Sequence, residues 1–359
     1  MRKILSIITL LVFQFGFTQT EKYTEVVNYY HSQKNFNGTV LVATNGKIDF
    51  LIGTGIANRQ LNNIIKADSK FKILSITKTF TAVLILQLYQ EGKLDLKATF
   101  GTYFPKYKGE AKDKVTIENL LTYSSAIPNL AEKLELKTYQ LPLSIDDYID
   151  TYCSNKLDTI PGKKSAYNNG DYMILHKIIE NITGKSFEKN LEEKILKPLQ
   201  MQNTNMLKST DIIPGLVDSY TMDEKTNEFK NDEPYYIENF FGSGSMYSTV
   251  EDLLKFDTAI FNYKLLSKKT TELMIAPNRS LDNVAFGFWF ADGYGIFNTK
   301  FVYRPGGILG SNTNWIRTLE NDKSIIVFSN TSATNLYEMS EQLYLISKGE
   351  KSTISDLKK

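Results

Sequence analysis

The chain has a single cysteine, Cys153, in 359 residues, so its fold cannot rest on an internal disulfide. With only two histidines, His31 and His176, beside that thiol, the composition argues against a zinc site. No Gly-x-Ser-x-Gly occurs, which excludes the α/β-hydrolase nucleophile elbow. A Ser-His-Asp triad has little to draw on. His31 sits in an early polar segment and His176 in an amphipathic helical pattern, and both read as structural. A serine hydrolase built from this chain needs another base, and lysine is the alternative. Net charge is also missing. Without Arg2 and Lys3 the basic and acidic residues balance at 40 each, so there is no electrostatic footprint for nucleic acid or an anionic membrane.

What is present begins at the N-terminus. Arg2 and Lys3 precede an apolar run, Ile4 to Phe17, broken only by Ser6, Thr9, Gln14 and Gly16. Gly16 and Thr18 then stand as small residues before a cut at Gln19 or Thr20. This is the layout of a secretory signal peptide, residues 1–19. The run is short for a membrane span of about 20 residues. No cysteine lies near the cut to carry a lipid. The expectation is an exported protein, periplasmic or extracellular, with no stable membrane anchor after cleavage.

The remaining composition, 42% apolar and 23% charged, is that of a globular protein with a substantial core. Residues 37–55 read as a hairpin: Gly38 to Ala43 is strand-like, Asn45-Gly46 supplies the turn, and Ile48 to Ile52 returns. Ile76, Phe80, Val83, Leu84 and Leu88 fall at helical spacing between Ser75 and Glu91, and Gly92 stops the helix. The middle, about 115–265, is mostly helical pattern: Thr116 to Leu121, Gly170 to Thr183, Phe187 to Leu199, and a helix capped by Thr249 with Asp252 three residues on. Strand patterns return at Ala285 to Ala291, Lys300 to Tyr303, Asn314 to Leu319 and Ser324 to Ser329. A last helix starts near Asn335, and the tail after Gly349 is polar. These patterns predict an α+β fold: an antiparallel sheet formed by both ends of the chain (about 20–75 and 270–349), flanked by helices, with a mostly helical second lobe (about 76–269) and a cleft between them. Residues 20–349 form the domain and 350–359 a polar tail.

Ser-x-x-Lys occurs four times, and context separates the copies. Ser355/Lys358 is in the tail. Ser186/Lys189 reads as the exposed start of a helix. Ser69/Lys72 precedes the helix. Ser75 stands where an apolar segment meets an amphipathic helix, with Lys78 one turn on along the same face. Alone, Ser75 reads equally well as an N-cap. Tyr-x-Asn occurs once, at Tyr167 to Asn169, after Pro161-Gly162 and before a helix. A phenol can relay a proton when a cation lowers its pKa. The Asn169 amide can accept from a lysine and donate to a substrate carbonyl. Tyr303 to Gly310 lies between strand patterns, as a hairpin loop would. Glycines at a strand edge allow a substrate backbone to approach. Pro305 lacks an N–H, so Gly307 is the better oxyanion donor beside the Ser75 N–H.

The order of these segments resembles the β-lactamase-related serine hydrolases, which include class C β-lactamases, D-Ala-D-Ala carboxypeptidases, D-amino-acid peptidases and esterases. Phe71 to Ala82 is similar to the family's nucleophile helix. Leu120 to Pro128 is similar to its L-L-x-H-T-S-G-L-P segment, and Pro161 to Tyr172 to its P-G-x-x-x-x-Y-S-N-x-G-Y segment. Ser243 to Asp252 is similar to its G-G-x-x-S-T-x-x-D segment. Arg304 to Gly310 falls where the family has H-x-G-G-x-x-G. Together they span roughly residues 35–330. The resemblance implies Ser75 as nucleophile and Lys78 as its proton acceptor. Tyr167 shares the base role and protonates the leaving group. Asn169 holds Lys78 and the substrate amide, and Gly306 and Gly307 line the substrate strand. It implies acyl transfer without cofactor or metal on a small-molecule or peptide substrate, such as a D-amino-acid or cell-wall-type peptide. The alternatives are a small-ester esterase and a non-catalytic binding homologue. Three departures stand out: Tyr123 and Ala126 replace a His and a Gly, and Arg304 replaces a His or Lys. Arg304 is expected to supply a permanent positive charge near Tyr167 and Lys78, or to bind a substrate carboxylate, unless it points outward to a surface acid.

Overall fold

The computed structural model describes residues 19–223 and 225–354. The signal-peptide segment and the Ser355/Lys358 pair therefore lie outside the described residues, apart from Gln19.

A seven-stranded antiparallel sheet joins the two ends of the chain. Gly38–Thr44 and Lys47–Thr54 form the early hairpin. Lys323–Ser329 pairs directly with Gly38–Thr44, Leu41 opposite Ile326. Ser311–Thr318, Lys300–Ile308, Phe288–Asp292 and Val284–Ala285 follow outward on that side.

Both faces of the sheet are covered, and the pleat divides its side chains between two cores. Leu41, Ala43, Ile326, Phe328, Val302 and Trp315 face the larger core under the helical lobe. Val40, Val42, Ile325, Val327, Phe301 and Ile316 face the smaller one. Double burial is why these strands read as nearly continuous apolar runs. The smaller core is closed by the C-terminal helix Leu336–Ser347, capped by Asn335, and by a helix over residues 19–33. That first helix buries Tyr23, Val26, Val27 and Tyr30. It corrects the expectation of a merely polar early segment.

The helical lobe is built around Thr77–Gln90, of which residues 77–88 are all buried. The helix Asn169–Thr183 ends on Gly184 in the left-handed region (φ +65°), which glycine adopts without side-chain strain. Ile117–Leu121 carries a full capping box from Thr116 and Asn119. Thr249 caps Val250–Phe261 by accepting from the Asp252 N–H.

Three further expectations are corrected. Residues 285–291 are not one strand but two short ones turning at Phe286-Gly287. Residues 304–308 are not a loop: they continue the strand from Lys300 to Ile308, and the turn comes after it. The Phe187–Leu191 helix passes into a π-helical stretch, Glu192–Leu196, not a uniform helix to 199. The middle of the chain also holds a hairpin, Tyr220–Asp223 with Glu228–Asn231, and a small sheet pairing Phe71–Lys72 with Met246–Ser248.

Candidate active site

Ser75 sits where sheet and helical lobe meet, in a single 3-10 turn, Leu74–Ile76, feeding the Thr77–Gln90 helix. Its side chain caps neither element. Instead its Oγ lies 2.6 Å from Tyr167 Oη and 3.2 Å from Lys78 Nζ. The residue before it, Leu74, holds φ +50°, a conformation that costs a non-glycine residue about 1–3 kcal/mol. Positive φ recurs at Tyr123, Ala126 and Phe241 in the segments around the site. At Ala126 the family's usual glycine would be relaxed.

Lys78 is completely buried. Besides Ser75 it reaches Asn169 Oδ1 at 2.6 Å and the Ser243 carbonyl at 2.8 Å. Burial, reinforced by the Arg304 charge, pushes its pKa well below the ordinary lysine value, while Glu132 acts in the opposite sense. A neutral amine has two hydrogens and one lone pair. The two carbonyl oxygens take the hydrogens, which leaves the lone pair for the Ser75 hydroxyl proton.

Arg304 is 1% exposed and points inward. It pairs with no surface acid, contrary to one of the sequence-based options. Its Nε donates to the Ser75 carbonyl at 2.8 Å, and Nη2 reaches Tyr167 Oη at 3.5 Å. A guanidinium only donates, so it fixes the polarity of the chain of contacts. Arg304 donates to Tyr167, Tyr167 to Ser75, and Ser75 to Lys78. Burial raises the Tyr167 pKa, and the Arg304 charge and the Ser75 hydrogen bond oppose that rise. The phenol is therefore protonated at neutral pH.

Asn169 opens its helix with Oδ1 on Lys78, while its Nδ2 donates to Glu132 at 3.1 Å. Glu132 is exposed at the mouth. Gly306 and Gly307 differ in what they face. A Cβ on Gly306 would lie 2.7 Å from the Ile73 carbonyl and 3.0 Å from the Ser75 N, so the strand passes hard against the nucleophile's backbone. A Cβ on Gly307 would meet nothing closer than 3.9 Å, and the residue is exposed.

The structure thus brings Ser75, Lys78, Tyr167, Asn169, Arg304 and Gly306 together. The other Ser-x-x-Lys pairs lie elsewhere: Ser186 caps its helix by accepting from the Lys189 N–H, and the Ser69 Oγ accepts from the Lys66 N–H. His176 Nδ1 accepts from the Gly242 N–H at 3.1 Å, and His31 Nδ1 lies 2.7 Å from the Phe36 carbonyl. Sequence reading missed two groups. The Ser243 carbonyl is a backbone atom with no side-chain signature, although its segment was singled out. Glu132 is one acid in a charged stretch, and nothing in the sequence marks it.

The two-lobed α+β architecture, with a large antiparallel sheet and helices, is the β-lactamase/transpeptidase-like fold. The sequence model of the Beta-lactamase family matches residues 24–347, and the chain belongs to that family. It is 27% identical over 271 residues to the teichoic acid D-alanine hydrolase of Staphylococcus aureus (strain NCTC 8325 / PS 47). That match covers 75% of this chain and 66% of the relative, somewhat under two thirds of its length. The octameric penicillin-binding protein homologue from Pyrococcus abyssi superposes with a TM-score of 0.80 at 22% identity, over 92% of this chain and 78% of that one. D-amino acid amidase from Ochrobactrum anthropi SV3, complexed with L-phenylalanine amide, has a TM-score of 0.80 at 19% identity, over 92% and 99%.

Proposed function

We propose that the protein is an exported serine hydrolase that cleaves a D-amino-acid amide, peptide or ester through an acyl-enzyme at Ser75, within a hydrolase domain spanning residues 20–349. The observation that carries this reading is the Ser75 hydroxyl held between Tyr167 Oη at 2.6 Å and a fully buried Lys78 Nζ at 3.2 Å. Ser75 Oγ attacks the acyl carbon and its proton passes to Lys78. The oxygen that gains charge is held by the Ser75 and Gly307 N–H groups. Tyr167 delivers a proton to the leaving group as the acyl–nitrogen or acyl–oxygen bond breaks. Water then attacks the ester, its proton returns through the same pair, and Ser75 is restored. A D-aminoacyl substrate is supported by the teichoic acid D-alanine hydrolase and the D-amino acid amidase among the similar proteins. It is also supported by Glu132, an exposed carboxylate at the mouth that complements an α-ammonium group.

The test is a fluorophosphonate probe followed by a panel of D- and L-amino-acid amides and simple acyl esters. Labelling at Ser75 with hydrolysis of the D-series is expected. Preference for simple esters would favour the esterase alternative, and an unlabelled protein the binding homologue. On the same protein nitrocefin should turn over poorly, because a bulkier cation, Arg304, replaces the lysine of the K-T-G form.

Export predicts a mature N-terminus at or near Gln19 or Thr20, read by N-terminal sequencing of the protein recovered outside the cytoplasm. A protein that keeps Met1 or Arg2 would refute it. Among the described residues no helix is long and apolar enough to cross a membrane.

A further inference from the structure

We propose that Tyr123 is a positioning residue for the reaction at Ser75, acting by holding the Arg304 guanidinium against Tyr167. The proposal rests on the acyl-transfer reading and adds to it a residue outside the serine–lysine–tyrosine set.

The problem it answers is how a buried guanidinium stays in place. Arg304 has no carboxylate partner among the described ion pairs. Its Nη1 makes no hydrogen bond with the described residues. Nε holds the Ser75 carbonyl, and the Nη2 contact with Tyr167, at 3.5 Å, is long. An unpaired buried cation is costly by several kcal/mol. Aromatic faces are what remain to offset that cost. The Arg304 Cζ lies 5.9 Å from the centroid of the Tyr123 ring and 5.6 Å from that of Tyr167.

The Tyr123 ring is itself immobilised. It packs on Tyr167 at 4.9 Å, on Tyr172 at 5.3 Å and on Trp289 at 5.7 Å. Trp289 lies opposite Tyr303 in the sheet, the residue before Arg304, so one strand pair anchors both the wall and the cation. Two local costs meet at Tyr123. Its Oη is buried without a hydrogen bond to the described residues, and its φ is +54°. A folding role alone would be served by a phenylalanine, which leaves no oxygen unpaired. The phenol oxygen has a use as a dipole beside a cation. Of the groups that stabilise the Arg304 charge, Tyr123 comes first, ahead of Tyr167 and Tyr172. Two of the three departures from the family pattern, Tyr123 and Arg304, are therefore spatial neighbours.

The titratable groups around this cation are Lys78 on the Thr77–Gln90 helix, Glu132 on the Leu130–Lys133 helix, Tyr123 in the preceding loop, Tyr167 and Tyr172 on either side of the Asn169 turn, and Tyr303 on the same strand. Arg304 lowers the pKa of both Lys78 and Tyr167. If the clamp is loosened, both values rise. The pH–rate profile of acylation, ascending with neutral Lys78 and descending with loss of the Tyr167 proton, should move as a whole to higher pH.

The experiment measures the rate of fluorophosphonate labelling of Ser75 against pH for wild type, Tyr123→Leu, Tyr123→Phe, Arg304→Gln and the Tyr123→Leu/Arg304→Gln double variant. Tyr123→Leu should shift both limbs upward by about one pH unit. Tyr123→Phe should shift them in the same direction by less. The double variant should shift no further than Arg304→Gln alone, because Tyr123 acts through Arg304. Should Tyr123→Leu fail to fold, Tyr123→Phe, which keeps the ring, decides the sign. Slower labelling with unmoved limbs, or additive shifts in the double variant, would overturn the proposal while leaving the acyl-transfer reading intact. A wild-type protein that does not label would overturn both.

Discussion

Ser75→Ala and Lys78→Ala are each expected to lower the rate of acylation by roughly ten-thousandfold or more, because nucleophile and base act as one unit. The geometry makes Lys78 hard to replace. It is completely buried, its two outer contacts are fixed acceptors, Asn169 Oδ1 and the Ser243 carbonyl, and its remaining electron pair has only the Ser75 hydroxyl to serve. Loss of the amine leaves the serine proton without an acceptor other than a protonated phenol. His31→Ala should label like wild type. His176→Ala should label too, but at lower stability, about 1–3 kcal/mol, since it leaves the buried Gly242 N–H without its partner. Labelling of each variant with a fluorophosphonate, followed by thermal unfolding, separates the effects. A histidine variant as unreactive as Ser75→Ala, yet fully folded, would point to a triad.

Arg304→Gln is expected to move both limbs of the pH–rate profile upward, each by about one unit or more, because a unit charge close to a buried group displaces its pKa by roughly 1–3 units. The sign follows from the site. A positive charge disfavours protonated Lys78 and favours ionised Tyr167, so both pKa values lie lower with Arg304 than without it. Near neutral pH the variant should be at least about tenfold slower, since more of its lysine is protonated. The same measurement distinguishes the two roles expected of this residue. A carboxylate-binding arginine would discriminate between a substrate acid and its methyl ester, and its loss would cost the acid about 2–5 kcal/mol more. The guanidinium is 1% exposed and its nitrogens face Ser75 and Tyr167. That favours the role of fixed charge, so the acid-to-ester ratio of kcat/KM should be nearly the same in wild type and variant. A ratio that collapses on substitution would restore the carboxylate role.

Much of this protein was legible in its residue order. The hairpin at Asn45-Gly46, the helix after Ser75 and the helix that Gly184 ends follow from turn chemistry, apolar spacing and glycine's left-handed freedom, all of which act within a few residues. The doubly covered sheet was legible for a related reason: strands buried on both faces must be apolar throughout. The helix over residues 19–33 carried a readable signal, Tyr23, Val26, Val27 and Tyr30 at helical spacing, masked by the polar residues between them. The strand through Arg304 to Ile308 was not legible, because proline and two glycines read as a loop. In the sheet that composition is tolerated because Gly306 must pass the backbone of Ile73 and Ser75 without a side chain.

The sequence by itself determined the family, the order of the segments and which residues could do chemistry. Only the tertiary structure decided which of four Ser-x-x-Lys pairs faces a tyrosine. It also decided that Lys78 is buried deeply enough to favour the neutral amine, and that Arg304 turns inward onto Tyr123 and Tyr167. Those facts depend on desolvation and on distances between segments far apart in the chain. No local pattern encodes either, since each is set only when the sheet closes against the helical lobe.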